Sequence, residues 1–355
     1  MSEFDTLIGL VSQYSPSGQE CGAAGWLVAR MKSLGYDNAF IDEAGNAVGV
    51  MGKGPKQVVL LGHIDTVPGE IKVERDSISL YGRGTVDAKG PLACFVDAVV
   101  QVGARDGWQF VVIGAVEEER NSEGARFVAT QYKPDFAIIG EPNRWDRIAL
   151  GYKGSAWANV IVKRGQAHTA SGEETAAEAA VEVWLKIKAY VDSFNVDKQK
   201  IFDKLLLTLR GMDSDSNDFQ QSAKLKVGVR LPVDVSPEAW YAKLSEIISD
   251  SHLQGDCHLK VEPIGFAVPA WGCEKNTQLV RALLNGIRSQ GGGPRFVYKT
   301  GTADLNIVAP VWKCPAVVYG PGDSALDHTP NEHINLEDYR KAVIVLEHTL
   351  LKLMD

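Results

Sequence analysis

Three segments, "KQVVLLGHID", "GWQFVVIGAVEE" and "PDFAIIGE", constrain the fold of this chain more than anything else in it. Each is an almost unbroken apolar run with no polar alternation, and helical patterns such as "GPLACFVDAVVQVGA" stand between them. A strand apolar on both sides needs cover on both faces, and strands separated by helices join in parallel. The first 150 residues therefore predict an α/β layer with a mostly parallel sheet. "ECGAAGWLVARMKSLGY" adds a helix with Leu27, Met31 and Leu34 on one face, closed by Gly35, and "NAVGVMG" adds a strand.

From about Gly154 the pattern changes. "SAWANVIVKRG" reads as a strand, "ETAAEAAVEVWLKIKAYVDSF" as a long amphipathic helix, and "KLLLTLRGM" and "SAKLKVGVRLP" as two strands. "SPEAWYAKLSEIISD" follows as a helix opened by Ser-Pro, and "CHLKVEPIGF" as a last strand. This β-α-β-β-α-β order is the ferredoxin-like split motif, a small α+β domain in its own right. Helix and strand then alternate again, so residues 155–265 are expected to be inserted into a body made of 1–154 and 266–355.

With 355 residues, 45% hydrophobic and 23% charged, the chain has the make-up of an ordinary globular enzyme. A net charge of -8 argues against nucleic acid or an acidic membrane as the main partner. No apolar run reaches the ~18 residues of a membrane span, and the acidic start "MSEFDTLIGLVSQYSPSG" does not read as a signal peptide. The five cysteines are scattered without a CxxC pair, which points to reduced thiols, a cytoplasmic setting and no thiolate metal site.

The polar residues of interest fall where the strands end. "LLGHIDTVPG" places His63 and Asp65 two residues apart, on one face of a strand end. "YGRGTVDAKGP" delivers Asp87 just before a helix, where taken alone it reads as a capping residue. "VEEER" sets Glu117, Glu118 and Glu119 side by side, "IIGEPN" brings Glu141, and "LDHTPNEH" brings His328. Ligands of open α/β sheets bind at the C-terminal ends of the strands. Carboxylates this close repel one another unless a cation lies between them. Two imidazoles with several carboxylates suit zinc, with cobalt or manganese as alternatives, and suffice for two ions sharing one carboxylate.

"GHIDTVPG", "GRGTVDAKGP", "EEERNSEGAR", "GEPN", "RGQAHTA" and "LDHTPNEH" together resemble the ordered signature of the M20 family of zinc aminoacylases and peptidases. The resemblance runs over nearly the whole chain, the inserted domain included. It implies that His63, Asp87 and Glu141 hold one metal, with Asp87 bridging to a second held also by His328. It implies that Asp65 orients the site from behind. The family pattern Asp-Glu-Glu puts Glu117 at the Asp position, Glu118 at the general base and Glu119 at the metal; a register one residue earlier would make Glu117 the base. His168 matches the histidine that serves the partner subunit's active site across a homodimer. Asn217, Arg230 and the "TGTADLN" loop with Gly301 and Thr302 match substrate-side positions, where a guanidinium suits a free carboxylate.

Within the family the chain is similar to the lysine-biosynthesis branch. Those enzymes release lysine or ornithine from the C-terminal γ-glutamyl group of a small acidic amino-group carrier protein of the LysW type. The same mechanism would also serve deacylation of acetylornithine, acetyl-lysine or succinyl-diaminopimelate, or a dipeptidase. A non-catalytic metal-binding protein is a reading of another class, against which the intact Glu118 speaks. Lys198, Lys200, Lys204, Arg210, Lys224, Lys226 and Arg230 form a basic run that an acidic partner could meet, although such runs are commonly just solvated faces.

Overall fold

The computed structural model describes residues 3–166, 168, 170, 172–249 and 257–355. The chain divides into two compact units. The first comprises Met1–Gly151, Gly272–Tyr298 and Ala303–Asp355; the second comprises Tyr152–Trp271 and Lys299–Thr302. The "TGTADLN" loop is thus split, with Gly301 and Thr302 in the second unit and Asp304 in the first.

The centre of the first unit is four parallel strands in the order Trp108–Ala115, Lys56–His63, Phe136–Gly140, Ala316–Val318. The expected parallel sheet is there, but antiparallel strands flank it. Asn38–Ile41 and Ala47–Met51 pair antiparallel on one side, and Arg147–Tyr152 lies antiparallel on the other. For Asn38–Ile41 and Ala47–Met51 the physical reason is connection length. Asp42–Asn46 is a tight turn in which Asp42 accepts from the Ala44 and Asn46 N–H groups, and so short a link can join only antiparallel neighbours.

Val58, Val59, Leu60 and Leu61 are all fully buried, which requires cover on both faces because successive side chains point opposite ways. Val58 and Leu60 join the larger core with residues of the helices Cys21–Ser33, Lys89–Val102, Gln278–Ser289 and Leu336–Leu353. The central register matters most for function. His63 is level with Ala115, and Gly62 with Gly140. The residues that follow these strands, Glu117 to Glu119 and Glu141, therefore leave the sheet at the same edge as His63. A small sheet unforeseen from the sequence pairs Ser79–Tyr81 with His333–Asn335. Three-residue ladders between distant segments carry no periodic signal.

The second unit is an antiparallel sheet in the order Leu206–Ser216, Gln220–Leu231, Gly154–Gly165, Cys257–Val268. The helices Ala176–Asn195 and Pro237–Ser249 bury Val183, Ile187, Trp240 and Leu244 against Val160, Val162, Leu225 and Val227. This is the ferredoxin-like arrangement of strands and helices. Thr175 caps the longer helix by accepting from Glu178 N–H at 3.2 Å, and Glu178 reaches back to Thr175 N–H. No helix among the described residues is long and apolar enough to cross a membrane.

Candidate metal centre

His63 closes its strand almost fully buried, at 1% exposure. Its Nε2 lies 3.2 Å from Asp87 Oδ1, and its Nδ1 lies 3.0 Å from the Asp65 carbonyl and 3.4 Å from Asp65 Oδ1. Asp65 is itself held by three further donors. Its carboxylate accepts from Glu118 N–H at 3.0 Å, Glu119 N–H at 3.1 Å and the Ser17 hydroxyl at 2.6 Å. Burial works to raise the Asp65 pKa, but the hydrogen bond and charge of His63, with those other donors, hold it below the usual value.

Asp87 is not a helix cap. The helix begins at Lys89 with Ala88 as its N-cap, and no side chain caps it. The Asp87 carboxylate faces the histidines: Oδ1 is turned to His63, and Oδ2 lies 2.9 Å from His328 Nε2. His328 Nε2 is also 3.0 Å from Glu119 Oε1. His328 stands half-exposed with φ +60, and Glu117 shares that left-handed backbone. Side chains larger than glycine take it only where the surrounding structure requires it. At Glu117 the surroundings are visible, since its carbonyl accepts from the N–H groups of Arg120, Asn121 and Ser122. Asn46 pins the same turn by accepting from Val116 N–H at 3.0 Å. Gly124 is needed beside it, because a Cβ there would lie 2.2 Å from Asn46 Oδ1.

Three groups of side chains each bring three donor atoms within 4.8 Å of one another: His63, Asp87 and Glu141; Asp87, Glu119 and His328; and His63, Glu118 and Glu119. His63, Asp87 and Glu119 each belong to two of them. Glu117 belongs to none, and its carboxylate faces Arg120 at 3.7 Å.

The electrostatics are those of a site built around positive charge. Burial, the adjoining carboxylates Glu141, Asp304 and Glu119, and only partial relief from His63 push the Glu118 pKa well up. Glu141 is raised too, by burial first and by Asp87, Asp304 and Asp327, against His63. For Asp87, burial is outweighed by hydrogen bonds from His328 and His63, so its pKa is lowered. His328 rises to about 10 through its hydrogen bonds to Asp87 and Glu119. A nitrogen-and-carboxylate donor set of this kind fits zinc or cobalt, and the surplus of buried carboxylates is what a divalent ion would offset.

Several residues of this cluster escaped the sequence reading. Asp304 is 2% exposed, neither of its oxygens makes a hydrogen bond of ordinary geometry, and burial first, then Asp65, pushes it up to about 7. Buried Glu332 accepts from the N–H groups of Val86 and Asp87. Buried Lys89 carries its charge near Asp65 and Glu332, with a pKa lowered by burial to about 8. The only signal available was proximity to motifs, Asp304 in "TGTADLN" and Glu332 in "LDHTPNEH".

The other candidates lie in the second unit. Arg230 is half-buried and donates to Thr302 Oγ1 at 3.4 Å; Gly301 adjoins that contact in sequence. Asn217 is exposed at a turn, accepting from Phe219 and Gln220 N–H at 3.0 and 2.9 Å. His168 is exposed and accepts from Ala170 N–H at 3.1 Å. Asn217 and the His168 segment share one end of the sheet, where Gln220 pairs with Gly165. Arg230, paired with Ser155, stands at the opposite end. Ten residues of strand at ~3.3 Å each put about 33 Å between those ends. The basic run is partly neutralised: Lys198 faces Asp234 at 3.0 Å and Lys224 faces Asp213 at 3.8 Å.

The model of peptidase family M20/M25/M40 matches residues 59–352. The chain belongs to that family. As a member it is a hydrolase, and the resemblance read from its motifs is borne out. A [LysW]-lysine hydrolase of Deinococcus radiodurans is 42% identical over 97% of this chain and 95% of its own length. A protein of Thermococcus kodakarensis named as a putative [LysW]-lysine/[LysW]-ornithine hydrolase is 39% identical over 95% and 88%. Among solved structures, aminopeptidase PepT of Bacillus cereus superposes with a TM-score of 0.79 at 19% identity, over 99% of this chain and 98% of that one. An M20 family metallo-carboxypeptidase of Sulfolobus solfataricus gives 0.74 at 18%, again over 99% and 98%. At such identities these two speak for the shared M20 fold alone.

Proposed function

We propose that this M20 hydrolase releases lysine, ornithine or both from the C-terminal γ-glutamyl group of a small acidic amino-group carrier protein. The observation that carries the chemistry is Asp87, whose two carboxylate oxygens face His63 and His328, with Glu118 grouped beside them. The names of the relatives, at 36–42% identity over nearly the whole chain, carry the substrate. His63, Asp87 and Glu141 would hold one divalent ion, and Asp87, Glu119 and His328 a second, zinc in the first instance and cobalt as a substitute. Bound there, such ions supply Lewis-acid polarisation of the amide carbonyl and acidify water.

The chain's own residues do the rest. Glu118 takes the proton as water oxygen bonds to the carbonyl carbon, and returns it to the leaving nitrogen as the carbon–nitrogen bond breaks. That Glu117 lies outside every donor group supports Glu118 over Glu117 as the base. Asp65 keeps the His63 ring oriented and positions the Glu118 and Glu119 backbone.

Arg230, Gly301 and Thr302 would receive the carboxylate of the substrate, while His168 would donate to the oxyanion in the partner subunit of a homodimer. The separation within the second unit supports that division, since one chain cannot bring both ends of a 33 Å sheet (~3.3 Å per residue) to one scissile bond. The helix Ala176–Asn195 also leaves Val181 and Leu185 exposed one turn apart, a stripe suited to a second copy. Side-by-side rates on carrier-lysine, carrier-ornithine, acetylornithine and succinyl-diaminopimelate test the reading. A preference for either free acylated compound would overturn the carrier assignment.

A further inference from the structure

The loop that carries Asp87 and the loop that carries His328 come from opposite ends of the chain, and one buried ion pair joins them. Glu332 is 1% exposed and Arg83 is 7% exposed. One Glu332 oxygen accepts from Val86 N–H at 2.9 Å and Asp87 N–H at 3.1 Å; the other accepts from Arg83 at 2.8 Å. Arg83 in turn donates to the Thr329 carbonyl at 3.2 Å and the Gly69 carbonyl at 2.9 Å. A continuous run of contacts therefore leads from Asp87 through Glu332 and Arg83 to Thr329, the neighbour of His328. The paired strands Ser79–Tyr81 and His333–Asn335 anchor the base of both loops.

We infer that Glu332 and Arg83 are positioning residues that set the separation of Asp87 and His328. The role differs from plain stabilisation. A buried ion pair is weak evidence for stability, because desolvation offsets its attraction. Here the carboxylate is directed instead at two backbone N–H groups, one of them that of Asp87 itself. The guanidinium grips the carbonyl next to His328. Neither touches His63 or Glu141 in any hydrogen bond among the described residues, so the brace acts on one donor group and spares most of the other. Outer partners that orient ligands in this way commonly govern affinity for the ion.

This inference rests on the proposed two-ion centre, and titration of the chelated protein with cobalt(II), followed by calorimetry and visible absorption, separates the two. Glu332→Gln keeps an acceptor for the two N–H groups but loses the charge that holds Arg83. Its second cobalt should bind about 10–100-fold more weakly, with a smaller loss at the first, which shares Asp87 but keeps His63 and Glu141. Arg83→Lys, which retains charge but cannot fork between three acceptors, should shift the same site in the same direction. Weakening of both sites equally, or of neither, would overturn the brace in a protein whose wild type takes up two ions. A wild type that takes up a single ion overturns the two-ion centre, and the brace with it.

Discussion

The two units use their sheets in opposite ways. In the first, parallel strands end level, and that register gathers His63, Glu118, Glu119 and Glu141 at one buried edge. In the second, an antiparallel sheet leaves His168 and Asn217 at one end and Arg230 at the other, on exposed or half-buried ground. A parallel sheet concentrates function at one edge because all its chains leave there; an antiparallel sheet distributes its loops to both ends. The first unit thus gathers the candidate metal donors by itself, whereas the candidate substrate residues of the second lie at opposite ends of its sheet.

The hardest test of this contrast is chelation. Thoroughly metal-free protein should lose hydrolysis entirely, and zinc or cobalt should restore it; full activity without metal would remove the first unit's claim. Next in size, Glu118→Gln should keep its ions but lower turnover by ~10²–10⁴-fold, the usual contribution of a positioned base. Glu119→Gln should weaken ion binding instead. A Glu117→Gln enzyme behaving as the base variant, with Glu118→Gln losing metal, would shift the register by one.

The proposed reliance of the second unit on a partner can be tested by mixing. His168→Ala and Glu118→Ala proteins, each inactive, should recover about a quarter of wild-type activity when combined. Random exchange in a C2 dimer makes half the dimers mixed, with one intact site in each. No recovery from demonstrably mixed dimers, or an active monomer by light scattering, would place His168 outside the reaction. A smaller effect concerns the carrier. Its advantage in kcat/KM over acetyl-lysine should shrink between 0.1 and 1 M salt, as the Debye length falls from ~10 to ~3 Å. Charge reversal at Lys224 and Lys226 should lower the rate on the carrier while leaving that on acetyl-lysine unchanged. The smallest effect expected is structural. Thr175→Ala removes one half of the capping box and should lower thermal stability by about 1 kcal/mol without changing turnover.

Much of this was legible from residues alone. The apolar runs announced the parallel centre, and His63, Asp87, Glu119, Glu141 and His328, named from strand ends and motifs, do come within 4.8 Å of one another in overlapping groups. The antiparallel flanks were less legible, because an apolar strand looks the same whichever way its neighbour runs. Asp304 and Glu332 were invisible as members of the cluster. An aspartate before a helix and a glutamate in a loop are ordinary residues until the chain folds back and seals them from water.

Local chemistry by itself determined the long apolar strands, which residue types could ligate a divalent ion, and the ferredoxin-like pattern that interrupts the chain. Those properties depend on side-chain type and short periodicity, both of which are written in the residues. Only the tertiary structure decided that Asp87 faces two histidines rather than capping its helix, and that Glu117 turns to Arg120 while its neighbours turn inward. It also decided that Glu332 and Arg83 join two distant loops. Those outcomes depend on register and burial. A contact across some 245 residues, such as Glu332 to the Asp87 N–H, exists only once every intervening strand has taken its place.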